Sequence, residues 1–253
     1  MRFPVYLPLG PLLVHPHWLF ESLAYLLGFR LYVHVRARVG DIVTNDQRLW
    51  IVAAAIAGAA VGSKVLYWLG DPWMTVKHWQ DPFYLMAGKT IVGGLIGGVV
   101  AVEMVKRRLG IHRPTGDLFA IPLAVGIALG RIGCFLSGLD DHTYGLPTRL
   151  PWGVDFGDAI RRHPTQLYEA IYLWGLALWL RQYAAHSHRE GDVFKSFMVG
   201  YLGFRLLLEF LKPGAVLMGL TAIQWACLAM LVYYRRDMPR LLPRQWQGVH
   251  AHG

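Results

Sequence analysis

Arg131, Arg205 and Lys64 stand inside stretches that are otherwise apolar. Charge in such stretches is costly and marks a task. Tyr201, Arg205 and Glu209 recur every four residues, which places all three on one stripe of a helix. Arg131 and Cys134, three apart, share a helical face in the same way. Two guanidiniums and an ammonium make a receptor for phosphate, because the planar guanidinium fork presents paired donors to its oxygens. Glu21, His163, Gln166 and Glu169 add carboxylates, an imidazole and an amide near the ends of the same stretches. Such groups carry protons in general acid–base chemistry.

Each residue also has a plainer reading. Arg131 and Arg205 lie close enough to helix ends to snorkel. Glu209, four residues after Arg205, can simply pair with it. Cys134 can be a small packing residue rather than a nucleophile. Glu103 reads as part of a solvated helix end, His186, His188, His250 and His252 as loop residues, and the basic tail from Arg235 as an anchor on anionic lipid.

The elements that carry these groups follow from composition. Of 253 residues, 55% are hydrophobic and only 16% charged, against about 25% charged in soluble domains. Mean hydropathy is +0.35. The fold expected is an all-α integral membrane protein, a single polytopic domain over 1–253. Seven apolar stretches are long enough to cross a bilayer: about 18–36, 49–70, 89–105, 117–137, 167–184, 194–211 and 215–234. The two cysteines, Cys134 and Cys227, form neither a metal-binding nor a disulfide pattern. No metal and no organic cofactor are expected.

The net charge of +9 reads first as topology. Loops on one side hold fourteen of the 25 Lys and Arg, from Arg36 to Arg244, and those on the other side, beginning with Arg2, hold seven. The richer side is cytoplasmic, so the N-terminus is expected outside and the C-terminus in the cytoplasm. Nucleic acid is excluded as a partner on this reading. The external loop 138–166 carries Asp140 and Asp141. In this orientation Glu21, Lys64, Gly93, Gly94, Arg131, Glu169, Arg205 and Glu209 all fall near the outer surface. The phosphate present at that depth belongs to a phospholipid headgroup.

Longer motifs now carry a resemblance. "GRIGCFLSG" with the later "YG", "RHPTQLYEA" and "YLGFRLLLEFLKP" are similar, in order, to "GRxGNFxNGE…G", "RHPSQLYEA" and "YGxFRFxxEFxRxP" of the bacterial prolipoprotein diacylglyceryl transferase family. "VGSKVLY" and "VGGLIGG" resemble its "GARLxY" and "HGGLIGG". The resemblance implies a multi-pass enzyme of the bacterial inner membrane. Its donor is phosphatidylglycerol, and its acceptor is the lipobox cysteine thiol in the signal peptide of a prolipoprotein. A thiolate attacks a glycerol carbon and glycerol phosphate leaves.

By that resemblance Arg131 and Arg205 stabilise the departing phosphate, Tyr201 and Glu209 continue their stripe, and Gly145 matches the glycine after the signature. Lys64, Cys134, Gly93, Gly94, Gln166, Glu169 and Asp141 are the further substrate contacts expected. Four positions depart from the family: Val92 replaces a histidine, Cys134 an asparagine and Glu21 a tyrosine, and the acid of the signature is offered out of register as Asp140 or Asp141. The base is then sought among Glu21, His142 and His163. Two other classes stay open, a non-catalytic phospholipid-binding protein or paralogue with a different acceptor, and a small transporter. Polar groups gathered at one depth count against transport.

Overall fold

The computed structural model describes residues 3–186 and 189–241. Arg2, His188, Arg244, His250 and His252 lie outside them. The elements run β1 (Leu7–Leu9), β2 (Leu12–Val14), α1 (Pro16–Val39), α2 (Asn45–Gly70), α3 (Pro72–Lys77), α4 (Pro82–Met86), α5 (Ile91–Arg108), α6 (Asp117–Ser137), β3 (Val154–Asp155), β4 (Arg161–Arg162), α7 (Thr165–Ala184), α8 (Asp192–Leu208), α9 (Ala222–Tyr234) and α10 (Met238–Leu241). Short 3-10 turns, Gly138–Asp141 and Glu209–Leu211, continue α6 and α8. The chain is mostly helical. Two small antiparallel pairs, β1 with β2 and β3 with β4, qualify the all-α expectation.

Local chemistry sets the helix starts. Pro16 opens α1, where its missing N–H costs nothing, and the His15 side chain caps it. Thr44 with Gln47, and Thr221 with Gln224, form reciprocal capping boxes at the starts of α2 and α9. α6 coincides with the stretch expected at 117–137. The seventh stretch, expected over 215–234, is corrected: its helix begins only at Ala222. Leu217 and Leu220 instead exchange backbone hydrogen bonds around Met218 and Gly219, both at positive φ. The 13 residues of α9 rise only about 20 Å, less than the roughly 30 Å of a hydrocarbon core.

Among the described residues, two helices are long and apolar enough to cross a membrane: Asn45–Gly70 and Asp117–Asp141, with mean hydropathies of 1.9 and 2.0. Large apolar side chains stay exposed along α1 and α2, among them Trp18, Tyr25, Phe29, Trp50, Ile56 and Val61. Contiguous exposed apolar surface of this kind fits an environment of lipid better than one of water.

Contacts divide the chain into two compact units, Met1–Gly40 with Gly116–Pro213, and Asp41–Thr115 with Gly214–Gly253. In the first, α6 packs on α1, α7 and α8. Ala120, Ala124 and Ala128 are fully buried on one stripe of α6, and their small side chains let neighbouring helices close in. The Asp117 carboxylate accepts from the amides of Gly191 (2.6 Å) and Phe194 (2.9 Å). It thus satisfies free N–H groups at the start of α8 and opposes the helix dipole.

In the second unit α2 lies against α5, and α9 packs on both. Gly58 and Gly62 face Gly97 and Gly93 so closely that a Cβ on any of them would run into the partner's backbone. Small residues four apart allow this backbone contact, which van der Waals packing then rewards.

Candidate active site

Glu169 is the hub of the first unit. It sits one turn into α7, whose start is held by Thr165 Oγ1 donating to the Thr143 carbonyl (2.8 Å). Its side chain is completely buried. Tyr201 Oη donates to Oε1 (2.6 Å). Oε2 faces Arg131 Nε at 2.9 Å and Arg205 Nη1 at 3.4 Å. Arg205 Nη2 also pairs with Glu209 at 2.7 Å. Three helices, α6, α7 and α8, therefore meet on one carboxylate.

Buried charges persist only when paired and hydrogen-bonded. Here two guanidiniums are set against two carboxylates. The arrangement is not closed. Arg205 Nε and both polar atoms of the Gln166 carboxamide are buried without a hydrogen-bond partner among the described residues. Gln166 lies three residues before Glu169, on the same helical face. Orphaned polar atoms of this kind are satisfied by water or by a polar ligand.

Half-buried Lys212 follows the stripe. Burial, followed by the positive charges of Arg205 and Arg131, pushes its ammonium down to about 7. It therefore adds a titrating cation beside the arginine pair.

A second cluster adjoins the first through Arg131, whose Nη1 lies 3.7 Å from Cys134 Sγ. His17, near the start of α1, places Nδ1 2.9 Å from Asp141 Oδ1 and Nε2 3.3 Å from Glu21 Oε2. Thr143 Oγ1 donates to the other oxygen of Asp141 (2.6 Å), and Tyr25 Oη donates to Glu21 (2.9 Å). Donor atoms of His17, Cys134 and Asp141 all lie within 4.8 Å of one another. Among the described residues, these three could hold a metal ion.

The structure thus brings together Arg131, Arg205, Glu209, Tyr201 and Glu169, and beside them Cys134, Asp141 and Glu21. Other expected residues have structural tasks. Gly145 donates its amide to the His163 carbonyl and is wedged against His163 and Leu211, with no room for a Cβ. It shapes the loop at this point. His163 Nδ1 is 3.3 Å from Tyr168 Oη, and His142 is exposed in a left-handed turn.

Lys64, Gly93 and Gly94 belong to the second unit. Lys64 Nζ donates to the carbonyls of Met86, Ala87 and Gly88. Its three N–H groups tether that loop where the sequence suggested a phosphate contact. Gly93 is a packing residue of the α2–α5 seam. Gly94 meets Ala59 and Ser63 only at ordinary van der Waals distance. His17 was missed as a site residue, because nothing in the spacing ties it to Asp141 far along the chain.

A buried cluster of paired arginines and carboxylates, on helices with apolar outer faces, is the build of a helical membrane protein. The family model of prolipoprotein diacylglyceryl transferase matches residues 4–234. Similar proteins include the phosphatidylglycerol–prolipoprotein diacylglyceryl transferase of Bordetella parapertussis, 32% identical, with 90% of this chain and 91% of that protein covered. Those of Legionella pneumophila strain Paris (30% identical; 96% and 94% covered) and Nitrosomonas europaea (32%; 90% and 86%) are similar over comparable lengths. The chain belongs to the prolipoprotein diacylglyceryl transferase family.

Proposed function

We propose that this chain transfers diacylglyceryl from phosphatidylglycerol to the lipobox cysteine thiol of a prolipoprotein, as its relatives are named for doing. One observation carries the reading at the level of the site. Arg131 and Arg205 are fixed on a single carboxylate while buried donors beside them lack partners. A headgroup phosphate is an anion that such donors recognise.

The chemistry divides between the residues. The acceptor sulfur, once deprotonated, attacks a glycerol carbon. The C–O bond to phosphate breaks, and glycerol phosphate leaves with the bonding electrons. Arg131 and Arg205 offset the charge that grows on the departing phosphate, in a water-poor site where such stabilisation is strongest. Tyr201 and Glu209 hold the arginines through Glu169 and directly. Gln166 offers its amide to the ester or headgroup.

The chain is placed, on this reading, in the bacterial inner membrane as one polytopic domain, N-terminus outside. The lysine and arginine asymmetry of the loops supports the orientation. Trp73, Trp79 and Phe83, exposed between α2 and α5, are suited to the bilayer interface.

The test is a transfer assay with purified protein, phosphatidylglycerol and a lipobox peptide. Mass spectrometry should find diacylglyceryl on the cysteine and free glycerol phosphate. Both should vanish in Arg131→Ala and Arg205→Ala. Donor bound but not consumed, with a family member active in parallel, would instead favour the lipid-binding alternative.

A further inference from the structure

We propose that His17, Cys134 and Asp141 form a three-ligand site for a zinc-class divalent cation, whose open fourth position takes the acceptor thiol. The metal site stands on the geometry of these residues alone. The thiol role rests on the transfer reading above.

The donor set selects the metal. One imidazole nitrogen, one sulfur and one carboxylate oxygen are a mixed N/S/O set. Calcium and magnesium take oxygen ligands, and the softest ions favour sulfur alone. Three protein ligands with a vacant fourth position is the pattern of catalytic zinc. Zinc bonds of about 2.0–2.3 Å put tetrahedral ligand atoms roughly 3.3–3.8 Å apart. The three donor atoms already lie within 4.8 Å of one another, so side-chain rotations alone can close the set.

Each ligand is also oriented from behind, the feature that separates a built site from a chance cluster. With Nδ1 of His17 turned to Asp141, its Nε2 faces the Glu21 carboxylate at 3.3 Å. That contact fixes the tautomer that leaves Nδ1 for the metal. Thr143 holds Oδ2 of Asp141 at 2.6 Å and leaves Oδ1 toward His17. The Arg131 guanidinium holds Cys134 Sγ through a contact of 3.7 Å. Glu21 is in turn held by Tyr25 at 2.9 Å.

The position gives the metal a use. Cys134 Sγ, one of the three ligands, lies 3.7 Å from Arg131, which itself reaches Glu169. A thiol that coordinates zinc is deprotonated outright. The acceptor S–H would release its proton to solvent water on binding the ion and keep its lone pair for attack. The S–C bond forms, the C–O bond breaks, and the electron pair leaves with glycerol phosphate held by the arginines. The metal keeps its oxidation state throughout.

The test uses the full chain in detergent, loaded with Zn2+ and desalted. Elemental mass spectrometry should find one zinc per chain. His17→Gln, Cys134→Ser and Asp141→Asn should each lower zinc affinity by at least about 100-fold, beyond the roughly 10–100-fold that loss of an outer-shell partner costs. Asp158→Asn, in the exposed loop, should bind as the parent does. A parent-like gel-filtration profile and thermal midpoint in each variant check that the fold survives.

Co2+ in place of zinc should give a thiolate charge-transfer band that Cys134→Ser removes. A lipobox peptide should shift the cobalt spectrum, and the same peptide with serine for cysteine should not. No zinc uptake by the parent, or uptake unchanged in the triple variant, overturns the site. An unshifted cobalt spectrum overturns the thiol role. Both readouts are independent of turnover. A normal cobalt signal with no diacylglyceryl product therefore counts against the transfer reading and not against the metal.

Discussion

Arg131 Nε lies 2.9 Å from Glu169 Oε2, an ion pair between α6 and α7 in which the carboxylate is wholly buried. The same oxygen also faces Arg205. Removing one member of a buried pair leaves an uncompensated charge and costs about 3–5 kcal/mol. Glu169→Gln should therefore lower the thermal midpoint of the detergent-solubilised protein and abolish transfer. Glu169→Asp, which keeps the charge, should recover part of the stability. An unchanged midpoint in Glu169→Gln would falsify the role of hub.

Tyr201 is the one neutral side chain on that carboxylate, with its hydroxyl at 2.6 Å. A hydrogen bond to a charged group contributes about 1.5–3 kcal/mol. Tyr201→Phe keeps the ring and deletes only the donor. Transfer should fall roughly 10- to 100-fold, as that energy converts to rate. Steady-state kinetics would show the loss mainly in kcat if the bond steadies the arginines during phosphate departure.

Lys212 supplies a pH signature. Its ammonium is pushed down to about 7 by burial and the neighbouring Arg205 and Arg131. It is charged below that pH and neutral above it, whereas the phosphate of phosphatidylglycerol keeps its charge across the range. Binding of the lipid should weaken as pH rises through 7. One basic group near an anionic lipid is worth about 1 kcal/mol, so the change is about fivefold. Lys212→Met should bind at the weaker level and flatten the profile. A parent protein with pH-independent binding from 6 to 8 would contradict this.

The glycines of α5 divide by task. A Cβ at Gly93 would strike the Gly62 carbonyl, whereas one at Gly94 would meet Ala59 and Ser63 at ordinary distance. Gly93→Ala should cost about 1–3 kcal/mol through overpacking. Gly94→Ala should stay within about 0.5 kcal/mol. Thermal unfolding of the two variants side by side decides it, and equal midpoints would remove the packing explanation.

Sequence periodicity is local, and it reads well wherever the structure is local. The Tyr201, Arg205 and Glu209 stripe survives as drawn, because one helix carries its first two members and a 3-10 turn directly continues it to the third. The bounds of α6 follow from an apolar run between Asp117 and Gly138 that only Arg131 and Ser137 interrupt. What the sequence could not show depends on contacts between distant segments. Glu169 was visible as a polar residue at the right depth, but its role as a shared counter-ion needs three helices. His17 and Asp141 meet only because α1 packs along α6. Lys64 was read as a phosphate ligand since its charge is apparent and the carbonyls of residues 86–88 that occupy it are not. The seventh stretch was drawn too long because Leu217 and Leu220 are as apolar in a turn as in a helix.

The Asp117 carboxylate on the α8 amides has a mechanical consequence at the opposite end of both helices. Asp117 and Asp192 begin α6 and α8, and the two arginines follow fourteen and thirteen residues later. Those runs rise about 21 and 20 Å. The two helices are therefore like rails cut to matched length and bolted at the base, with Glu169 as the upper rung. The guanidiniums meet because the rails are in step, not because long side chains reach for each other. One residue inserted into either rail would advance its arginine by about 1.5 Å and swing it by roughly 100°, and the rung would lose a footing. A tolerance this narrow ties the spacing of the two buried guanidiniums to a bolt some 20 Å away at the other end of the helices.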